Sequence, residues 1–283
     1  LTVFTAQERK EWEPVIKEFE ERTGWNVRVE TGSAKEMLSQ LEKEEADWDV
    51  AFGVSADALE EGKEYWQTGK DAWTGYSAVS FVILYNTNVV TYRELPTGWD
   101  SLLEPRWKGR VAVPDPLKSD MAASVLTEAA KNSEKEEFLD LLAENMQYQM
   151  PETFKEVEQG ISDGRYSIGV TSEEAAKAML AAGQDVDYID PEEGECFFED
   201  GTAIRKRTPN LDASEAFVTY TTCDDTKWLL RTQLLRQPAE DVAAENDRSD
   251  EDLKQRYSRQ QEVLNIWKLI MEEKSGSAHE QEQ

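Results

Sequence analysis

Short apolar stretches alternate with helical patterns through the first third of the chain, and this spacing restricts the fold most. Residues 1–4, 25–30 and 48–52 read as strands. Between them lie segments whose apolar residues recur at helical spacing, such as Trp12, Ile16 and Phe19, then Met37, Leu38 and Leu41. Strands separated by helices cannot pair as tight hairpins. They need crossover connections, which give a parallel sheet with helices on its faces. Thr5 with Glu8 reads as a capping box for the first helix, which stops near Gly24. Gly53-Val54-Ser55 opens a third, short helix through Ala58 and Leu59.

The middle of the chain holds a second unit of the same kind. Residues 78–85 (AVSFVILY) carry the strongest strand signal. Strands are expected at 110–113, 166–170 and 187–189, and helices after Ser119, at 138–146, at 154–161 and at 173–182. A strand over 196–206 then leads into a helix with Ala216, Phe217 and Tyr220. An apolar stretch at 228–235 follows, then a charged helix from Asp250 carrying Leu253, Tyr257, Val263, Ile266, Trp267 and Ile270. Residues 275–283 are expected to lack fixed structure. The pattern predicts a discontinuous first lobe, residues 1–87 with 191–283, and a second lobe, residues 88–190.

Charge and rare residues exclude several functions. Lys plus Arg is 31 and Asp plus Glu 59, a net charge of −28, which repels nucleic acid and anionic membrane surfaces. The longest apolar run, 81–85, falls far short of the roughly 20 residues of a membrane span. The one histidine, His279, sits in the polar tail, which argues against Ser-His-Asp, Cys-His and His-metal chemistry. Two cysteines without a CxxC cannot build a thiolate zinc cluster. No catalytic residue, metal ligand or cofactor is assigned. Cys196 and Cys223 read as two thiols, with a disulfide as the alternative in an oxidising compartment. A mature exported chain without its leader would open on LTVFTA, and so would a cytoplasmic one.

Four expected strand ends are each followed by a small or hydroxyl residue at a helix start: Thr5-Ala6, Gly53-Val54-Ser55, Lys118-Ser119 and Thr171-Ser172. In open α/β sheets, ligands sit beyond the carboxyl ends of the strands, where helix N-termini offer free N–H groups. The same residues also suit ordinary N-caps. The candidate ligand-binding set is Thr5, Ala6, Gly53, Ser55, Lys118, Ser119, Asp120, Ser172 and Glu173, with Tyr76 as an aromatic wall. Glu8 and Glu195 are further carboxylates near strand ends.

In segment order the chain resembles the extracellular solute-binding proteins of ABC importers, in the subgroup with ferric-iron, thiamine, phosphonate and sugar-phosphate binders. The resemblance rests on LTVFTAQ, ADWDVAFGVSADAL, WTGYSAVSFVILYNTNVV, PTGWDSLLEPRWKGRVAVPDPLKS and GRYSIGVTSEEAAKAML. The stretch from DPEEGECFF to AFVTY and the closing helix complete it. It implies a two-lobed periplasmic-binding-protein-like α/β fold of type II, each lobe a sheet flanked by helices. Two crossover strands, about 81–87 and 196–203, would form the hinge. It also implies a monomeric receptor outside the cytoplasm, in the periplasm or lipid-anchored at the outer face of the cell membrane. A small solute would bind in the cleft between the lobes, with an importer permease as partner.

The chain departs from that pattern at telling places. Iron binders carry adjacent tyrosines after the second crossover, where this chain has Phe197-Phe198, and ferric iron favours hard phenolate donors. Lys118-Ser119-Asp120 stands where phosphonate and sugar-phosphate binders have a Ser-Gly-Thr-like segment. Ser172-Glu173 stands where many sugar-phosphate binders have His-Asp. The solute is therefore not read by transfer; the helix N-termini and serine hydroxyls of the candidate set favour a small anionic or zwitterionic solute. The alternatives are a receptor for a cation such as thiamine or a polyamine, and a transferase-like enzyme on the same fold. A regulator's sensing half is a third, without a DNA-binding segment to support it.

Overall fold

The computed structural model describes residues 1–67, 72–194, 196–243 and 250–281. It divides into two compact units. One contains Leu1–Val79 and Phe198–Ser258, the other Ser80–Phe197 and Arg259–Gln283.

In the first unit, β1 (Thr2–Thr5), β2 (Arg28–Thr31) and β3 (Val50–Ser55) run parallel in the order β2-β1-β3. Helices α1 (Arg9–Thr23) and α2 (Ala34–Glu42) supply the crossovers, and α3 (Ala56–Glu61) follows β3. Alternation along each strand sorts the core onto two faces. Val3, Val50 and Phe52 pack with Val15, Ile16 and Phe19 of α1. Phe4 and Ala51 pack with Met37, Leu38 and Leu41 of α2 and Leu59 of α3. The first half of β4 (Thr74–Asn86) belongs to this unit.

In the second unit, β5 (Val111–Ala112) is parallel to β6 (Ile168–Ser172). The second half of β4 pairs antiparallel with β6. Helices α4 (Asp120–Asn132) and α5 (Phe138–Asn145) fall between β5 and β6, as does α6 (Phe154–Ser162). After β6 come α7 (Glu173–Ala181) and β7 (Val186–Ile189), which pairs with the other side of β4. Val82, Leu84 and Ala112 pack against Val157 and Ile161 of α6 and Ala176 and Met179 of α7. Val113 and Val170 meet α4, α5 and the 3-10 turn Trp99–Leu103 around a small apolar cavity. That turn is tied down by Glu193, whose carboxylate accepts the N–H groups of Trp99 (3.0 Å) and Asp100 (3.1 Å). A Cβ at Gly98 would lie 1.6 Å from this carboxylate, so only glycine leaves room for it.

The chain re-enters the first unit along β8 (Cys196–Ile204), antiparallel to β3. There follow α8 (Leu211–Thr221) and α9 (Asp224–Leu229), which opens into a π-turn over Leu230–Leu234. The short β9 (Gln237–Pro238) pairs with Ser77 and Ala78 of β4. Last come α10 (Ala239–Ala243) and α11 (Asp250–Gln281).

Several elements differ from the sequence expectation. Thr5 does not cap α1. It is the last ladder residue of β1, and Glu8 is the cap, its box closed by Glu11. Residues 237–243, whose strand and helix are too short to show a period, were not anticipated. The tail, expected without structure, continues α11 through Gln281. The boundaries expected at 87/88 and 190/191 come from an inserted α/β unit bounded by two strong strand signals. The two units divide inside β4, β8 and α11, each of which runs on unbroken from one unit into the other. The start of α11 serves the first unit, where Tyr257 packs on the Phe4 cluster. Its later part serves the second, where Gln260 Nε2 donates to the Asp120 carbonyl at 3.1 Å and Trp267 is buried. Cys196 and Cys223 are both thiols.

Asp49 closes the first sheet at the start of β3. Its carboxylate accepts Thr2 N–H (2.8 Å), Thr208 Oγ1–H (2.5 Å) and Asn210 Nδ2–H (3.1 Å). Burial works to raise this carboxyl, but the hydrogen bonds outweigh it and hold the pKa below its ordinary value. A depressed folded pKa gives stability that is present above the unfolded value of about 3.9 and lost as pH falls through the folded value. Asp49→Ala should therefore lower the unfolding free energy in urea by about 1.5–3 kcal/mol at pH 7. The gap to the parent should narrow below about pH 4; a gap that persists there would refute the assignment.

Candidate functional site

The carboxyl ends of β1 and β3 leave the first sheet side by side, because Thr5 lies opposite Phe52 in a parallel ladder. The register of β3 against β8 then slips between Phe52 and Val54, at Gly53, which adopts a left-handed φ of 62°. A Cβ there would fall 2.3 Å from Cδ of Gln7, so the bulge requires glycine both for its backbone and for the space Gln7 fills. Two residues on, Ser55 lies across from Asp200 of β8.

Asp200 is the hub of this corner. Its Oδ2 accepts Gln7 Nε2 (2.9 Å) and Arg236 Nη1 (2.7 Å). Its Oδ1 accepts the Ser77 N–H (3.1 Å) and hydroxyl (2.7 Å). Arg236 Nη1 also donates to Ser77 Oγ (2.9 Å), and Nη2 to Glu11 Oε1 (3.0 Å). Asp200 is 0 % and Arg236 4 % exposed. Burial pushes the Asp200 carboxyl above its ordinary range, with Arg236, Ser77 and Gln7 pulling against it. For Arg236, burial opposes the charge, yet Glu11 and Asp200 prevail and hold the guanidinium protonated. Beside this network, Gln7 Oε1 and Ser55 Oγ are buried with no hydrogen-bond partner among the described residues.

In the second unit β5 and β6 pair in parallel, Ala112 opposite Gly169, and β6 runs on to Ser172. Ser119, seven residues past β5, and Ser172, the last residue of β6, are the N-caps of α4 and α7. Each hydroxyl oxygen accepts a helix N–H, from Ala122 (3.3 Å) and Ala175 (3.2 Å). That leaves each O–H able to donate elsewhere. Glu173 pairs with Lys177 at 2.9 Å. Burial opposes the Lys177 charge, but hydrogen bonds to Glu173 and Glu174 raise its pKa to about 12.

The candidate residues thus fall into two sets. Thr5, Ala6, Gly53 and Ser55 gather at one corner of the first unit. Ser119 and Asp120 start α4 and Ser172 and Glu173 start α7 in the second, with exposed Lys118 just before Ser119. Thr5 is fully buried, and its Oγ1 accepts the Gln7 N–H at 3.2 Å. Tyr76 lies in the core and not on an open wall. It is 2 % exposed and its ring packs edge-on to Phe52 at 4.7 Å, because the pleat of β4 turns it toward α8. Glu195 lies outside the described residues. Sequence reasoning missed Gln7, Asp200 and Arg236. Their signals were an arginine, the second of two, inside an apolar run (WLLRTQLLRQP) and an aspartate in a buried strand. Among the described residues, no group of three or more His, Cys, Asp or Glu is placed to hold a metal ion.

A family model for the bacterial extracellular solute-binding proteins matches residues 50–261. The chain belongs to that family. It is similar to iron uptake protein A1 of Synechocystis sp., at 23 % identity over 262 residues, covering 81 % of this chain and 69 % of that one. The ferric binding protein of Campylobacter jejuni superposes with a TM-score of 0.76 at 16 % identity, over 95 % of this chain and 99 % of that one. The periplasmic binding protein AfuA of Actinobacillus pleuropneumoniae, with fructose-6-phosphate bound, gives 0.76 at 14 %, over 96 % and 98 %. The fold is that of the periplasmic binding proteins.

The buried pair makes a sharp stability test. Arg236→Met leaves the Asp200 charge buried without its cation and should cost about 3–5 kcal/mol. Adding Asp200→Leu removes the stranded charge and should recover part of that loss. A double-mutant cycle by chemical denaturation reads the coupling; additive losses would contradict the pairing.

Proposed function

We propose that the chain is a receptor outside the cytoplasm that captures a small anionic or zwitterionic solute and delivers it to the permease of an ABC importer. Family membership supports the general role. The observation that carries the solute class is the pair of capping serines, Ser119 and Ser172, at the N-termini of the helices that follow the parallel strands β5 and β6. Their helix N-termini and spare O–H groups suit an oxyanion. A net charge of −28 does not steer an anion from afar, so such short-range donors have to do the recognising. Thr5, Ala6, Gly53 and Ser55 are the proposed partners from the first unit. Lys118, Asp120 and Glu173 of the second are available to charged groups or hydroxyls of the solute. The same reading makes the chain a monomer without catalytic activity, in the periplasm or lipid-anchored, with β4 and β8 as hinge strands. Among the described residues no helix is long and apolar enough to cross a membrane.

Relatives point to two solute classes. One structural neighbour is described with fructose-6-phosphate bound, and others are ferric binding proteins. Phe197 and Phe198 offer no phenolate, which favours the phosphorylated solute over bare ferric iron. The surplus of carboxylates favours a second reading, a cationic solute such as thiamine or a polyamine.

A thermal-shift screen with glucose 6-phosphate, ethanolamine phosphate, thiamine, spermidine and ferric citrate separates these readings. At 100 times Kd the stabilisation should be about 2.7 kcal/mol. Ser119→Ala with Ser172→Ala should weaken binding of the stabilising anion by about 1.5–3 kcal/mol for each hydrogen bond lost. Unchanged affinity in the double variant would remove these serines from the site.

A further inference from the structure

The corner built around Asp200 contains an asymmetry that bears on what the receptor selects. A glutamine side chain normally offers a donor and an acceptor, and its amide turns to suit either. Gln7 lacks that freedom. Asp200 receives four donors, from Gln7 Nε2, Arg236 Nη1 and the N–H and hydroxyl of Ser77. Turning the amide over would set Gln7 Oε1 against that carboxylate oxygen and lose the hydrogen bond. Gly53 makes room for the same side chain, since a Cβ would lie 2.3 Å from Gln7 Cδ and 2.6 Å from Nε2. The amide is therefore fixed electrostatically, by its hydrogen bond to Asp200. Its Oε1 is buried and unpartnered among the described residues, as is the hydroxyl of Ser55, which lies opposite Asp200 in the ladder. An acceptor left bare in a buried position costs stability unless something supplies a donor.

We propose that the Asp200–Arg236 pair locks the Gln7 amide with its N–H groups turned inward, so that Gln7 shows the solute only a carbonyl oxygen and selects solutes that carry an N–H or O–H donor. This rests on the proposed function, in which this corner meets the solute, and narrows it. The preferred solute is an anion that also carries an ammonium or hydroxyl group, such as an amino-alkyl phosphate or a phosphorylated polyol. A solute of acceptors alone, or one capped by a quaternary ammonium, leaves Gln7 Oε1 unsatisfied. Gln7 is then a specificity-determining residue, and Asp200 and Arg236 are positioning residues that act through it. A site built to accept a proton donor discriminates strongly against an analogue that lacks one, because its own buried polar group is left unpaired.

The test has two arms on the full chain. In the first, the side-chain amide of Gln7 is followed by 15N NMR without ligand and assigned by its loss in Gln7→Met. Slow exchange with solvent is expected, whereas exchange as fast as that of surface glutamines would overturn the lock. In the second, calorimetry compares ethanolamine phosphate and glucose 6-phosphate with choline phosphate, whose trimethylated nitrogen carries no N–H. At least one of the first two should bind roughly tenfold or more tightly than choline phosphate. Gln7→Met, which keeps the length but removes the carbonyl, should erase that preference. If choline phosphate binds equally well, or the preference survives in Gln7→Met, this inference fails while the receptor reading stands. If none of the three binds the parent protein, the anionic-solute reading fails and takes this inference with it.

Discussion

One buried ion pair holds the first unit together. Arg236 and Asp200 are 36 residues apart in sequence, and neither has appreciable contact with water. Through them β8 is joined to β4 at Ser77, to α1 at Glu11 and to the turn after β1 at Gln7. A charge taken out of water costs several kcal/mol unless its partners are close and well directed. The Asp200 oxygens each receive two donors, and Arg236 reaches Ser77 and Glu11 besides. That satisfaction lets a strand, a helix and a loop share one polar centre inside an otherwise apolar core.

Local rules made much of the fold readable in advance. Ser119 and Ser172 each cap the helix expected of them, because a hydroxyl before an apolar helical pattern has few better uses. The parallel order of β1, β2 and β3 follows from helix-length spacers. Thr5 misled because two local patterns competed there. The T-x-x-E spacing fits a capping box, but Thr5 still has ladder partners in Thr31 and Phe52. The E-x-x-E spacing three residues later took the helix start instead.

The candidate site was readable only by halves. Strand ends are local, so the serines and Gly53 could be placed from the chain itself. Partners joined by folding leave no spacing to read, and Gln7 with Asp200 and Arg236 with Glu11 are of that kind. Tyr76 shows the same limit from another side. An aromatic before a strong strand suits a wall or a core equally well, and the pleat of β4 decides for the core.

The division of the chain has a consequence for the order in which its parts acquire structure. Neither unit is one continuous stretch, since the first waits for Phe198–Ser258 and the second for Arg259–Gln283. The sheet of the first unit needs Val50 to find Ile204, a loop closure across the whole intervening unit. The second can assemble β4, β5, β6 and β7 early, from residues closer together, yet it lacks Trp267 until the very end. Contacts of such wide separation slow collapse to the final state. A chain emerging N-terminus first would therefore hold a half-built sheet edge at β3 until β8 is made. The length of that interval is set by the inserted unit and not by the stability of either sheet.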